Sequence, residues 1–518
     1  MSEKKLYKWQ AECLDIWKNS GTEGIVNVIT GAGKTILALS AADHLLHTYP
    51  NVRIRIVVPT ISLAHQWKQA IRDFFPNISY GSHKVGLYYG THKDDKNTPF
   101  LIYVINTARD SLSSHVINDM KEGRHVFMIC DECHRYTGDV NRNIFRFRHD
   151  PAFQRDQYHC IGLSATPYCS HFEDILVPNL GKEIYHYGPS EAWNDQVINP
   201  YVILHTGICL NEKELDEYNE FTDLIAKTYG RMIAEDPAVE YMNSNEFFRY
   251  LSEAEEGSAA CQLNNLIRLR RALIYNASER ENCLKALLRR IDLSKKIIIY
   301  CERIEQTVRI ANIIKKMFTP KISIYHSELK KEIREKYLHQ FRTGEHHILV
   351  ACRALDEGID VPDAEVGIVL SCSAVTRQRL QRLGRIIRKA DRKDTSVLYY
   401  VYAVNTIDSP FFLDENSAET RTIDLQYYSA NNMFYCEQYA GYAAKLAKSL
   451  ERSYTAPQIR EFRACINEGT HTIDWLLDSN DYDFKITSAP NRHRKNYWIC
   501  MKKIHQISLE EQTDMDLF

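Results

Sequence analysis

Short β-branched runs alternate with amphipathic segments along this chain, and that alternation is compatible with few architectures. "GIVNVIT" (24–30), "VRIRIVVPT" (52–60), "FLIYVIN" (100–106), "HVFMIC" (125–130) and "CIGLSAT" (160–166) read as strands of one parallel sheet wrapped by helices. A later series, "KKIIIYCE" (295–302), "KISIYHS" (321–327), "HHILVACRA" (346–354), "EVGIVLS" (365–371) and "TSVLYYVYAV" (395–404), implies a second lobe of the same kind. Each run ends in polar or small residues, and ligands bind at the carboxyl ends of such strands. Between the two series, residues 211–290 carry helical periodicity with charged outer positions. Beyond Ser409 the aromatic-rich "LQYYSANNMFYCEQYAGYAAKLAKSLERSY" reads as helix. The expected fold is α/β, with two parallel-sheet lobes joined by a helical segment and a small, mostly helical or mixed C-terminal region. The corresponding divisions are 1–205, 206–290, 291–408 and 409–518.

At 518 residues the chain is too long for a single core. Lys and Arg number 65 against 67 Asp and Glu, so no global basic field announces nucleic acid, and any such binding needs a local groove. The 14 cysteines are scattered, "MSEKKLYKWQ" has no apolar leader core, and no apolar run approaches the roughly 18 residues of a spanning helix. These features predict a soluble, reduced protein with no membrane partner, cytoplasmic, or nuclear in a eukaryote.

Directly after the first strand comes "TGAGKT", the residues Thr30, Gly31, Ala32, Gly33, Lys34 and Thr35, followed by the helical "ILALSAADHLL". Strand, glycine turn, Lys-Thr and helix form the context in which backbone N–H groups and a helix N-terminus surround phosphates. Lys34 is placed to reach the β- and γ-phosphates of ATP, and the Thr35 hydroxyl to hold Mg²⁺. A strict P-loop has glycine five positions before Gly33; this chain has Val28.

"CDECHRYTGD" (130–139) carries two chemistries. Cys130, Cys133 and His134 have the spacing of a metal or redox site. Asp131, at the end of a strand in the same sheet, is instead suited to the P-loop's metal, with Glu132 polarising the attacking water. A zinc site needs four ligands, and no second pair is well placed. The carboxylate reading therefore prevails.

"TGAGKT", "DECH", "SAT" (164–166), "LDEGIDVP" (355–362) and "QRLGRIIR" (381–388) occur in the order seen in superfamily 2 helicases and translocases. "LYKWQ" resembles their adenine-binding element, and "VVPTISLAHQW" (57–67) resembles motif Ia of the branch containing XPB-type helicases, UvsW-type helicases and type I and III restriction translocases. The resemblance spans about Leu6 to Ala403.

It implies two RecA-like lobes, with Lys34, Thr35, Asp131 and Glu132 serving ATP from the first and Gln10 contacting the adenine. Arg385 and Arg388 look like arginine fingers from the second lobe, Gln381 like the residue that watches nucleotide and water, and Gly358 and Asp360 like the junction beside them. Ser164, Ala165 and Thr166 resemble the element that couples the nucleotide to the strand. Thr60, Thr107 and Arg303 are candidates for phosphate contacts that position a strand without reading its sequence. Where many helicases have a motif V threonine this chain has Cys352, a weak donor, for which Arg353 is the substitute.

The implied activity is a nucleic-acid-dependent ATPase working as a helicase or translocase, with DNA favoured over RNA by "QRLGRIIR" and "HQW". Two other readings share these motifs: the motor of a defence or restriction complex with its nuclease on another chain, and an ATP-gated clamp or sensor. In the tail, "NRHRKNYW" (491–498) suits phosphate contact with base stacking, or else a solvated edge strand. The D-x-K of "DYDFK" (481–485) has no upstream acidic partner in a recognisable strand, which argues against a nuclease. Residues 409–518 are a candidate docking surface for a protein partner.

Overall fold

The structure, a computed structural model, describes residues 6–29, 31–75, 85–169, 171–188, 191, 192, 195, 197, 201–352, 364–371, 396–408, 421–451, 455–470, 472–476 and 479–515. The chain divides into two compact units, with the boundary at residues 199/200.

The first unit holds an eight-stranded sheet in the order β4-β3-β5-β2-β6-β7-β1-β8. Its strands are β1 (Ile25–Val28), β2 (Arg53–Val58), β3 (Val85–Tyr89), β4 (His92–Lys93), β5 (Phe100–Val104), β6 (Val126–Asp131), β7 (Tyr158–Ser164) and β8 (Glu183–Tyr187). Every pairing is parallel except β3 with β4, a hairpin at the sheet's edge. Successive residues of a strand point to opposite faces. Val26, Val28, Ile54, Ile56, Ile102, Phe127 and Ile129 accordingly join one core, and Ile25, Val57, Leu101, Tyr103, Val126 and Met128 another. Burial on both faces is why these strands read as unbroken apolar runs.

The second unit repeats the plan with order β11-β12-β10-β13-β14-β9-β15-β16. Here β9 is Tyr201–Ile208, β10 Ile297–Cys301, β11 Ile322–Tyr325, β12 Ile348–Cys352, β13 Val366–Val369, β14 Ser396–Ala403, β15 Arg421–Tyr428 and β16 Met433–Tyr435. All ten expected strands are present. The boundary expected at 205 falls inside β9, which pairs along its length with β14 of the second sheet. Residues 425–454, read as helix, are corrected: β15 and β16 extend the sheet and the helix begins only at Glu437. The reason is a period of two. Ile423, Leu425 and Tyr427 are buried while Asp424 and Tyr428 are exposed, a pattern masked in the sequence by the helix formers that follow.

The helices Glu212–Glu235 and Ala259–Tyr275 pack on each other and share a small core of their own around Met232, Val239, Leu251 and Leu263. The C-terminal helices do not form a separate core: Tyr439, Leu446, Trp475, Tyr482, Tyr497 and Met501 join the cluster built on the second sheet.

A buried cation locks that sheet to the helix Ser278–Leu288. Arg280 is 1% exposed, donates from Nε to Ile274 O at 2.8 Å and from Nη1 to Val401 O at 2.5 Å and to Leu370 O, and pairs with the buried Asp408. Removing one partner of a buried ion pair leaves the other charge uncompensated at a cost of about 3–5 kcal/mol. Arg280→Ala is therefore expected to lower the unfolding free energy of the second unit by about that amount, read from the urea midpoint; a loss below about 1 kcal/mol contradicts this role.

Candidate nucleotide site

The carboxyl ends of β1 and β6 lie two strands apart in the first sheet, separated by β7. From β1 the chain enters a glycine turn in which Gly31 and Gly33 have φ of +88° and +98°, a left-handed backbone that favours glycine. Gly33 occupies the cap position of the helix Lys34–Thr48, so that helix's first N–H groups are free of a side-chain cap. Val28, where a strict P-loop has glycine, is the last residue of β1 and fully buried, a position that a strand core fills best.

Gln10 closes the loop from behind. Its Nε2 donates to Gly33 O at 3.0 Å, its Oε1 accepts from Tyr7 N at 2.9 Å, and a Cβ on Gly33 would stand 2.6 Å from Nε2. Gln10 is 2% exposed. The residue expected at the adenine thus also fixes the glycine turn, and both ends of its amide are engaged within the lobe.

From β6 comes Asp131, 8% exposed. Its Oδ2 accepts from Trp67 Nε1 at 2.8 Å and its Oδ1 from Glu132 N at 3.1 Å. Burial and the neighbouring Glu132 carboxylate push its pKa up to about 6, against the opposing pull of Lys34 and the Trp67 bond. Lys34 Nζ lies 3.8 Å from Glu132 Oε1. That ammonium nitrogen is buried and has no hydrogen-bond acceptor among the described residues. Glu132 has φ of +50°, an uncommon backbone for a side-chain-bearing residue and one concentrated at functional sites.

The next turn ties this pair to β7. His134 Nδ1 is 3.5 Å from Glu132 Oε2 and 3.0 Å from Ser164 Oγ, and Ser164 Oγ accepts from Thr166 N at 2.9 Å. Thr166 Oγ1 is buried without a hydrogen-bond partner among the described residues. Behind them Tyr136 OH bridges Val57 O at 2.9 Å and Asp131 O at 2.5 Å. Ala32 is buried, and Thr35 and Ala165 are half-buried.

Cys130 and Cys133 are wholly buried, burial raises both of their pKa values, and no group of three or more metal-ligating side chains exists among the described residues.

Thr60 caps the helix Ile61–Phe74, its Oγ1 accepting from Leu63 N at 3.3 Å, and Thr107 Oγ1 accepts from Gly90 N at 3.0 Å. In the second unit Arg303 precedes the helix Ile304–Met317, and Cys352 Sγ donates to Glu302 O at 3.7 Å. Thr30, Arg353, Gly358, Asp360, Gln381, Arg385 and Arg388 lie outside the described residues. Of the two readings of 491–498, a phosphate- and base-contacting patch or a solvated edge strand, the strand is corrected: the stretch enters the helix Arg492–Met515, with Arg492 and Arg494 paired to Glu461 and Glu468. Trp67 and His134 are contacts that sequence reasoning missed; the signals were the tryptophan six residues after Ile61 in "HQW" and the histidine of "DECH".

A glycine-cradled helix N-terminus with a buried lysine ammonium and neighbouring carboxylates, in a chain with a second parallel-sheet unit, is the arrangement of a P-loop ATPase. The family described as "Type III restriction enzyme, res subunit" matches residues 3–169, and "Helicase conserved C-terminal domain" matches residues 279–390. The chain resembles superfamily 2 helicase-type ATPases of the XPB and type III restriction branch. It is 27% identical over 392 residues to "DNA 3'-5' translocase XPB2" of Sulfurisphaera tokodaii, which covers 75% of this chain and 80% of that protein. It is 24% identical over 395 residues to "Putative DNA 3'-5' helicase Rad25" of Halobacterium salinarum, covering 76% of this chain and 54% of that protein. In fold it resembles the Hef helicase domain of Pyrococcus furiosus, with a TM-score of 0.50, 17% identity, and coverage of 78% of this chain and 98% of that one. No helix among the described residues is long and apolar enough to cross a membrane.

The raised pKa of Asp131 makes its charge a burden on the nucleotide-free fold. A carboxyl whose folded pKa exceeds its unfolded value stabilises the fold at low pH, and that contribution is lost as pH rises through about 6. Asp131→Asn, which keeps an acceptor for Trp67, is expected to raise the thermal midpoint of the nucleotide-free protein at pH 7.5. The gain should shrink towards pH 5; an unchanged or lowered midpoint at pH 7.5 contradicts the assignment.

Proposed function

We propose that this chain couples the hydrolysis of Mg-ATP to movement along DNA, with RNA the lesser substrate. The observation that carries the proposal is the buried Lys34 ammonium, which has no acceptor of its own among the described residues and sits beside two carboxylates at a helix N-terminus. A buried ammonium without a hydrogen-bond acceptor calls for acceptor oxygens, and a magnesium-bound polyphosphate supplies them. DNA is chosen because the relatives spanning most of the chain are named for action on DNA.

The backbone of Gly31, Ala32 and Gly33, with Thr30, receives the phosphates, and Lys34 neutralises them. Thr35 and Asp131 are the residues suited to hold Mg²⁺, which when bound draws charge from the β- and γ-phosphate oxygens. Glu132 orients and polarises the attacking water. His134 stands between Glu132 and Ser164, so a change in the carboxylate's partners is passed to Ser164, Ala165 and Thr166. Gln381, Arg385 and Arg388 retain the roles that the family pattern gives them, sensing and neutralising the γ-phosphate, and Gly358 and Asp360 the junction role of the same pattern. Thr60, Thr107 and Arg303 hold the strand's phosphates, with Arg353 taking the place of Cys352, whose thiol donates to Glu302 O. The match to a restriction res subunit favours a second reading, the same motor within a defence assembly whose nuclease is another chain docked through 409–518.

ATP turnover is to be measured with single- and double-stranded DNA and RNA while strand displacement is followed. DNA is expected to raise turnover, and the stimulation to fall as salt rises. Glu132→Gln is expected to lower stimulated turnover by about 10²- to 10⁴-fold with nucleotide still bound, and Arg385→Ala by about 10³- to 10⁵-fold. Equal turnover with and without every polynucleotide contradicts the proposal.

A further inference from the structure

The β3–β4 hairpin carries an aromatic surface that the nucleotide site does not use. Its tip, Gly90-Thr91, lies at the carboxyl end of β3, which runs parallel to β5, so it stands at the same edge of the sheet as the helix starts that follow β2 and β5. Tyr89 and His92 are cross-strand partners with rings stacked 18° apart at 5.4 Å. His65, from the helix that Thr60 caps, meets Tyr89 edge-on, with Tyr89 OH 3.2 Å from His65 Nε2. His92 and His65 are exposed and Tyr89 half-buried. Tyr88 points the other way and packs on Tyr103 and His115 within the lobe, so only one aromatic face of the hairpin is turned outward.

This surface is anchored to both strand-binding candidates of the lobe. Gly90 N donates to Thr107 Oγ1 at 3.0 Å, which leaves the Thr107 hydroxyl its proton to give to a phosphate. Thr60 stands at the start of the helix that carries His65. The base of the hairpin is closed by Asp94, whose carboxylate accepts from Leu87 N at 2.9 Å and lies 3.3 Å from His92 Nε2, and Lys93 lies 5.7 Å from the Tyr88 ring. Exposed flat rings beside helix N-termini suit a ligand with alternating phosphates and π-faces.

We propose that Tyr89 and His92 form a stacking platform for an unpaired base of the strand whose phosphates Thr60 and Thr107 hold, and so provide the element that parts a duplex. The proposal rests on the DNA-motor reading above. A base sliding onto the Tyr89–His92 stack is withdrawn from its own helix, and the two-residue turn held by Thr107 keeps the platform in place while the strand passes. Stacking on aromatic side chains is tolerant of sequence, as a motor requires.

The test uses the full chain and forked DNA carrying 2-aminopurine at successive positions near the junction, with fluorescence, strand displacement and ATP turnover recorded together. Wild-type protein is expected to quench the probe at one or two positions. Tyr89→Ala combined with His92→Ala is expected to abolish that quenching, weaken single-strand binding about 10- to 100-fold and slow displacement, while turnover stimulated by saturating duplex stays within about threefold. Tyr89→Phe, which keeps the ring and loses the hydroxyl, should retain quenching. Thermal melting matched to wild type shows that the variants fold. Wild-type quenching and displacement in the double alanine variant overturn the platform and leave the motor intact. Absence of DNA-stimulated turnover in the wild type refutes both.

Discussion

One ammonium and two carboxylates held largely out of water are what the rest of the first unit is arranged around. Lys34 Nζ and Glu132 Oε1 are 3.8 Å apart, a separation at which opposite charges attract by about 4 kcal/mol at an effective dielectric near 20. That attraction does not balance the cluster. Burial first and the Glu132 carboxylate second raise the Asp131 pKa, and the lysine nitrogen lacks an acceptor among the described residues. Such a cluster is unfavourable by itself, and its natural complement is a ligand with several negative oxygens and a divalent cation. The misfit is local, which is how proteins carry functional sites within otherwise consistent folds.

The surrounding residues exist to keep that misfit in place. Gln10 fixes the carbonyl of Gly33, Trp67 holds one oxygen of Asp131, and Tyr136 ties the backbone of Asp131 to that of Val57. His134 and Ser164 then give the cluster an outlet along β7, so that a change at Glu132 has a path to residues 164–166. In the proposed mechanism, catalysis and coupling share one set of hydrogen bonds. In the second unit a different device, the buried Arg280, ties β14 and the residue that follows β13 to a helix.

Much of this was legible before the structure, for a physical reason. Strands buried on both faces appear as continuous apolar runs, so β1, β2, β5, β6 and β7 could be read directly, and each delivers its polar residues to one edge. Strands outside that class were missed, and so was β9, although its residues from Val202 to Ile208 are all buried. Glu183–Tyr187 has only one residue fully buried, and β15 alternates buried and exposed positions beneath an aromatic composition that resembles the following helix. Residues next to each other in a motif, such as Asp131 and Glu132, declared themselves. Contacts across 64 residues, such as Trp67 with Asp131, did not, because a donor that orients a carboxylate has no spacing rule of its own. Val28 shows the converse: a departure from the motif that the structure explains as the end of a strand.

The central claim is that the Lys34 ammonium, with the Asp131 and Glu132 carboxylates, is built to be completed by the phosphates of a magnesium-bound nucleotide. Calorimetric titration of a non-hydrolysable ATP analogue with Mg²⁺ into wild-type protein and into Lys34→Met measures this directly. The account predicts saturable one-to-one binding by the wild type and at least about tenfold weaker binding by the variant, the loss of one charge-assisted contact. Equal affinity in the two proteins would contradict it.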